Sequence, residues 1–409
     1  MTGVDMKYCL VFHANMHYAF LNPSKYEFVI RESYEKLVDL FENDYPEAGW
    51  VFEASGYTLE KMAEIAPDVL NKYRKAFERG KCEFMGSPYA HSILANYPYE
   101  DGLHALQFAM DSYQNILGFK PRSAWNPECT WMSWTPKLFK EAGYEILMTD
   151  WDSYLLSNRP EVREVEYDPD RTRCHGAHKP WYPVDPNDRT LRYPIQLIPG
   201  LVGVMRSDRP QTAPQAFMMG DATWEECIQS IDHWTGQGEG SLVPFAEDAE
   251  YCGTTGYYFH KYKNLPIYFE KAPDTLPNLE RIIKELLRRG EMVTVSDLVD
   301  TLPLTTDIQV QYEDKMAWHR TFSDAWANTK AGKELDILCN DVRSKLKKAE
   351  ILAKTDADKQ AINKAWFHLI NAENSDGRWP PLGTCEWNKN YCRQAAQSAL
   401  DEISKIKNT

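Results

Sequence analysis

Two acidic segments carry the residues whose types could do chemistry. The first reads Arg122-Ser-Ala-Trp125-Asn-Pro-Glu128-Cys-Thr-Trp131, a short strand ending in a Trp-flanked glutamate. The second reads Leu242-Val-Pro-Phe-Ala-Glu247-Asp248-Ala-Glu250-Tyr-Cys-Gly253, an apolar strand that runs into three carboxylates. Like charges this close raise one another's pKa, so one carboxyl can keep its proton near neutral pH. Glycosidic bond cleavage needs that division of labour. One carboxylate attacks the sugar or activates water, and one carboxylic acid protonates the leaving oxygen. A solvated acidic loop would give the same pattern.

For two segments so far apart to act together, the chain between and around them must form a scaffold. Up to about residue 305, short apolar strands alternate with amphipathic helices. Tyr8 to His13 is an apolar run with a polar end, and Ile30, Tyr34, Leu37 and Phe41 then share one helical face. Gly49 to Glu53 reads as a second strand, followed by a helix with Leu70, Tyr73 and Phe77 that stops at Gly80. Gly80, Gly143 and Gly290 each stand between a helix and a strand with a polar end, where glycine fits a left-handed helix stop. Thr135 reads as a helix cap with Pro136 at the first helical position. Such alternation predicts a parallel sheet. Seven or more units favour a closed barrel, whose site lies at the C-terminal ends of its strands.

The stretch 160–199 departs from this rhythm. It is rich in Pro, Arg and Asp, holds His175-Gly-Ala-His178 and Trp181-Tyr182-Pro183, and reads as a long insertion of the kind that shapes substrate sites. Beyond residue 305 the strand signal fades. Leu335, Leu338, Val342 and Leu346 mark one helix, Ile362, Trp366, Leu369 and Ile370 a second, and Ala395, Ala399 and Ile403 a third. The expected organisation is a barrel over residues 1–305 and a helical domain over 306–409 that contributes to the site.

Bulk composition narrows the partners. The formal net charge is −14, which lacks the basic footprint of a nucleic-acid binder and disfavours anionic membranes and polyanions. A neutral glycan meets no such barrier, and 13 Trp and 23 Tyr supply flat rings for stacking on sugars or for filling a core. The first residues form no signal peptide and no apolar stretch is long enough to span a bilayer. Nine scattered Cys fit reduced thiols, so a cytoplasmic protein is expected.

Taken in order, the segments resemble the motifs of glycoside hydrolase family 57. His13-Ala14-Asn15 stands where that family has His-Gln-Pro, and Ser55-Gly56-Tyr-Thr-Leu-Glu60 is similar to its Gly-then-Glu motif. Gly86-Ser-Pro-Tyr89-Ala-His91 resembles its Pro-Tyr-x-His, and Trp125-Asn-Pro-Glu128 its Trp-x-x-Glu. Asp248-Ala-Glu250-Tyr-Cys-Gly253 resembles Asp-x-Glu-x-Phe-Gly, and Ala372-Glu-Asn-Ser-Asp376-Gly-Arg-Trp379 the fifth motif on the helical part. The resemblance implies a (β/α)7 barrel with a helical C-terminal region. It implies a retaining hydrolase or 4-α-glucanotransferase on α-linked glucans, with no metal or cofactor. Glu128 would be the nucleophile and Asp248 the acid/base. His13, Glu60, His91, Trp125, Glu250, Asp376 and Trp379 would bind substrate. Ala14-Asn15 for Gln-Pro, Cys252 for Phe, and Pro380-Pro381 after Trp379 depart from the pattern beside these positions, not on them.

Other readings compete. His13-x-x-x-His17 could offer two imidazoles to a metal, as in α-mannosidase-like barrels, although at a strand end residues four apart are too distant to chelate. An α-galactoside or α-mannoside is the fallback substrate, and a glycan-binding homologue without turnover is the fallback class. Cys385 and Cys392 lack redox-pair spacing. Gly236-Gln-Gly238-Glu-Gly240 precedes a strand instead of following one, so it is no dinucleotide fingerprint.

Overall fold

Seven short runs of apolar residues, each ending in polar ones, become seven parallel strands in the computed structural model, which describes residues 6–170, 179–256, 269–379 and 386–406. His175, His178, Pro380, Pro381 and Cys385 lie outside the described residues. The strands are β1 (Lys7–Ala14), β2 (Trp50–Ala54), β3 (Cys82–Gly86), β4 (Ser123–Trp125) and β5 (Ile146–Asp150), then β7 (Leu201–Arg206) and β8 (Ser241–Asp248). They run β7-β5-β4-β3-β2-β1-β8 across the sheet. Strand β6 (Ile195–Ile198) comes from the insertion and pairs antiparallel with β7, while the two-residue β9 (Glu291–Met292) pairs with the start of β1.

Period-two alternation divides each strand between two cores. Tyr8, Leu10 and Phe12 point outward to the helices, as do Trp50, Phe52, Phe84, Leu147 and Phe245. Cys9, Val11, Val51, Met85, Trp125, Met148, Val204, Val243 and Ala246 fill the interior. The helix Val295–Thr301 plugs this interior with Val295 and Leu298. Half-buried Glu83 accepts from Ser123 Oγ at 2.5 Å and from Ser296 N at 2.7 Å, fixing the plug to β3 and β4.

No ladder joins β7 to β8 among the described residues, so the seven strands form an incomplete (β/α)7 barrel. One buried side chain bridges the seam. Gln211 accepts from Ala246 N at 3.0 Å and from Arg206 at 2.8 Å, and donates to Glu247 at 2.9 Å. It supplies β8 with part of the hydrogen bonding that a neighbouring strand would give.

Three sequence details resolve differently. Gly80 and Gly143 are left-handed as expected, but Gly290 is extended. What selects glycine there is space, because a Cβ would sit 2.1 Å from the Met6 carbonyl oxygen. Thr135 is the first residue of its helix, Thr135–Glu141, and its hydroxyl accepts from Met132 N at 2.9 Å, so Trp134 takes the cap position. Past residue 305, where the strand signal fades, a short antiparallel hairpin forms from β10 (Met316–Ala317) and β11 (Thr321–Phe322).

The helices Lys330–Leu352, Asp356–Ala372 and Glu386–Ser404 match the three apolar stripes and share a core of Cys339, Val342, Leu346, Trp366, Leu369 and Ala396. The seven described cysteines are free and buried. Among the described residues no helix is long and apolar enough to cross a membrane.

Candidate active site

Inward-facing positions at the C-terminal strand ends collect polar residues into one layer. The registers set His13 of β1 against Glu53 of β2 on one side and against Asp248 of β8 on the other. Asp150 of β5 lies against Arg206 of β7. Which carboxylate of β8 faces in is decided by a bulge. Register runs Tyr8 to Leu242, then Leu10 to Phe245, so β8 carries one extra residue at Val243–Pro244, where proline has no N–H to give. A one-residue slip flips every later side chain. Without it Glu247 would oppose His13; with it Asp248 does, and Glu247 turns to the seam and Gln211.

Glu128 follows β4 through Asn126-Pro127. Proline holds the residue before it extended, and Asn126 has φ −86° and ψ 122°. The chain then turns sharply: Glu128 and Cys129 both have positive φ, 55° and 46°. Two successive non-glycine residues in this region cost about 1–3 kcal/mol each and persist only where surroundings fix them. Cys129 N donates to Asn126 O at 2.8 Å, and Trp318 N from the hairpin donates to Glu128 O at 2.7 Å. Glu128 is only 7% exposed. His91, also at positive φ (53°), pairs through Nδ1 with Ser375 Oγ at 2.9 Å.

The electrostatics follow from packing several carboxyls close together in a largely buried layer. Burial, then the Asp248 and Asp376 carboxylates, push the Glu128 carboxyl well above the usual range. Asp248 is raised by burial against the opposing pull of the His13 charge. Burial raises Asp376 to about 7, and burial together with the Asp248 charge raises Glu247 and Glu250 to about 8 each. His13 goes the other way. Burial alone would depress it, but the Glu53 carboxylate bonded to its Nδ1 outweighs that and holds it at about 10. A protonated imidazole thus sits among carboxyls that cannot all ionise together, and their protons come off as a coupled set.

The structure brings together Glu128, Asp248, His13, His91 and Asp376. Asp376 reaches in from the C-terminal helical region and accepts from Asn15 Nδ2 at 3.0 Å. Trp125 is 3% exposed and packs in the barrel core, its ring 6.1 Å from His13 and 6.2 Å from Trp318. Trp379 is half-buried beside Trp326, with ring centres 6.2 Å apart. Glu250 is fully buried, accepting from Asn15 N at 2.8 Å and from Tyr34, so it holds the end of β1. Glu60 is drawn away between outer helices, bonded to Tyr89 and Ser112 at 2.7 Å each. The glutamate at the centre is Glu53.

His13 and His17 are not a chelating pair. Fully buried His17 stacks on Tyr57 at 3.5 Å, and burial lowers it to about 3, whereas His13 is engaged by Glu53. Four residues escaped the sequence reading. Glu53 has a signal, since it ends a strand in phase with His13. Arg206 ends β7 in the same way, and its guanidinium meets Asp150 at 3.1 Å and Asp208 at 2.6 Å. Trp318 and His319 have none, being on a hairpin without periodicity; His319 Nδ1 lies 2.5 Å from Asp208.

Buried carboxyls clustered at the mouth of a parallel barrel, with polar side chains delivered from a helical annex, form the kind of site that glycosidic chemistry requires. The chain belongs to glycosyl hydrolase family 57, whose sequence profile matches residues 10–311. A 4-α-glucanotransferase of Thermococcus litoralis is 29% identical over 174 residues, which is 42% of this chain and 25% of that protein. An α-amylase of Pyrococcus furiosus is 26% identical over 186 residues, 42% of this chain and 28% of that one. The aligned stretch is thus about a quarter of these relatives' own length. In fold, the chain is similar to the crystal structure of an α-amylase from Thermotoga maritima, with a TM-score of 0.64 at 13% identity, covering 99% of this chain and 94% of that one.

Proposed function

We propose that this protein is a retaining enzyme of α-linked glucans, a hydrolase or 4-α-glucanotransferase, with Glu128 as nucleophile and Asp248 as acid/base. The observation that carries this is the strained, buried Glu128 carboxyl, close enough to the half-buried Asp248 to be raised by its charge. Glu128 attacks the anomeric carbon as Asp248 protonates the leaving oxygen. Asp248 then takes a proton from water or from an acceptor hydroxyl, which releases the sugar from Glu128. The protonated His13 favours the charged form of both carboxylates in turn, and Glu53 keeps it protonated. His91 and Asp376, fixed by Ser375 and Asn15, bind sugar hydroxyls, and Trp125 and Trp379 border the subsite. In this reading residues 1–305 carry the catalytic carboxyls and 306–409 close the site, and the free thiols suit a cytoplasmic setting. The relatives named as an α-amylase and a 4-α-glucanotransferase support the substrate class.

The test is a product profile on maltoheptaose and a panel of other α-linked oligosaccharides, for the wild type and Glu128→Gln, with no metal added. Shorter products alone mean hydrolysis, and a ladder of longer ones means transfer. Turnover of a non-glucan only would move the substrate to an α-galactoside or α-mannoside. A Glu128→Gln variant as active as the wild type would overturn the mechanism.

A further inference from the structure

A pocket of about 390 Å³ opens beside the barrel, between the insertion and the helices Asp208–Met218 and Trp224–Thr235. Its walls include Trp181, Tyr182, Thr212, Ser230, His233 and Trp234, and among the described residues no carboxylate lines it. We infer that this pocket is a second saccharide site, which takes distal glucosyl units of the same α-glucan chain that enters the barrel.

The chemistry of the walls selects the ligand. Pyranose rings present apolar C–H faces that pack on aromatic rings, with hydroxyls around the edge for polar side chains. Trp181 is 37% exposed, yet its ring is held by the guanidinium of Arg320 at 3.6 Å and by that of Arg209 at 4.5 Å. A preset ring costs a ligand little ordering entropy. Arg209 lines the pocket without making it an anion site, because its charge is already paired with two buried carboxylates. Nε bonds Asp152 at 2.8 Å, Nη1 bonds Tyr182 O at 2.6 Å, and Nη2 bonds Glu166. A neutral ligand is what remains, and the volume suits one or two sugar units on the usual scale of ligand pockets.

Two elements connect the pocket to the barrel mouth. The helix Asp208–Met218 turns Gln211 to Glu247, the neighbour of Asp248, and Thr212 to the pocket. The hairpin places Trp318 against Trp125 and Glu128, and two residues later Arg320 against Trp181. A polymer passing Trp318 on its way from the mouth is led to Trp181.

This inference rests on the α-glucan reading above, so its test separates the two. Retention is measured in native gels containing amylose, in a Glu128→Gln background that leaves the polymer intact, for the parent, Trp181→Ala and the pocket-filling Ser230→Trp. Linking two sites on one polymer multiplies affinity through effective concentration, so each pocket variant should bind amylose about ten-fold more weakly than the parent. With Glu128 restored, the ratio of kcat/KM on amylose to that on maltotriose should fall in the same proportion; general damage to the fold would lower both and leave the ratio in place. A parent that amylose does not retain, or two variants retained as strongly as the parent, would overturn the second site. A wild type that turns over no α-glucan would sink the proposed function instead.

Discussion

The backbone N–H of Trp318 donates to the carbonyl oxygen of Glu128 across 2.7 Å. The hairpin is pinned a second time, since Lys315 N donates to Trp131 O at 2.6 Å and Trp131 N donates to Met316 O at 2.8 Å. These bonds clamp a loop whose residues 128 and 129 both have positive φ. Trp318→Pro removes the donor, and should lower kcat about 100-fold, the scale of a reacting group displaced by about 1 Å. Trp318→Phe keeps the N–H and should stay within a few-fold of the wild type. Steady-state kinetics with circular dichroism as a folding control decides it. Equal activity of the two variants would mean that the clamp does not position Glu128.

The assignment of Asp248 makes a separate prediction about leaving groups. A general acid matters most when the leaving oxygen is a poor one. Asp248→Asn should lower turnover of maltoheptaose about 10³-fold, within the range for a lost proton donor. On an α-glucoside of a nitrophenol, which departs without a proton, formation of the glycosyl-enzyme should fall about ten-fold or less. Equal losses on both substrates would remove Asp248 from the acid role.

The strand ends were legible because alternation and polar termini are local signals, and His13, Trp125, Glu128 and Asp248 all lie on or just after a strand. Asp376 was legible only through the resemblance, since nothing around a helix end announces the mouth of a barrel whose strands lie far earlier in the chain. Glu60 and Glu53 show the limit. Glu60 follows the motif glycine, but a helix starting at Gly56 carries it outward to Tyr89 and Ser112, while strand phase brings Glu53 to His13. Trp318, on a hairpin whose arms have two residues each, is fixed by long-range docking that no local pattern encodes. Pro244 marked the bulge in plain sight, yet its effect, choosing Asp248 over Glu247, needs the register of the neighbouring strand.

Stability should depend on pH in a direction set by the buried carboxyls. Asp376 at about 7, with Glu247 and Glu250 at about 8, keep protons that an unfolded chain gives up near pH 4. His13, held at about 10, likewise binds a proton above pH 6.5 that the unfolded chain has lost. Buried neutral His17, lowered to about 3, works in the opposite sense, but only below about pH 6.5. From pH 6.5 to 8 the folded state therefore binds more protons than the unfolded one, and unfolding free energy falls as pH rises. Calorimetry should show Tm dropping by about 5 °C across that window. Asp376→Asn should flatten the lower part of it, and a Tm that rises would contradict the arrangement of charges.

The position of Asp376 should depend on Arg378, two residues along the same loop. The guanidinium of buried Arg378 donates to Asp336 at 2.8 Å and to the carbonyls of Ala372 and Asn374 at 2.9 Å each. It thereby ties the loop that sets Ser375 on His91 and Asp376 on Asn15. Arg378→Met removes these donors and leaves the buried Asn374 carbonyl unpaired, a loss of about 1–3 kcal/mol, while Asp336, 25% exposed, can turn to water. Chemical denaturation should register that loss. If the loop serves the site, a second effect must accompany it at temperatures where the variant is folded: KM for maltoheptaose should rise about ten-fold, as for Asp376→Asn, and the double variant should be no worse in KM than either single one. Additive losses in KM would mean that Arg378 stabilises the helical region without governing Asp376. Non-additive losses would tie the C-terminal loop to the substrate through this one side chain.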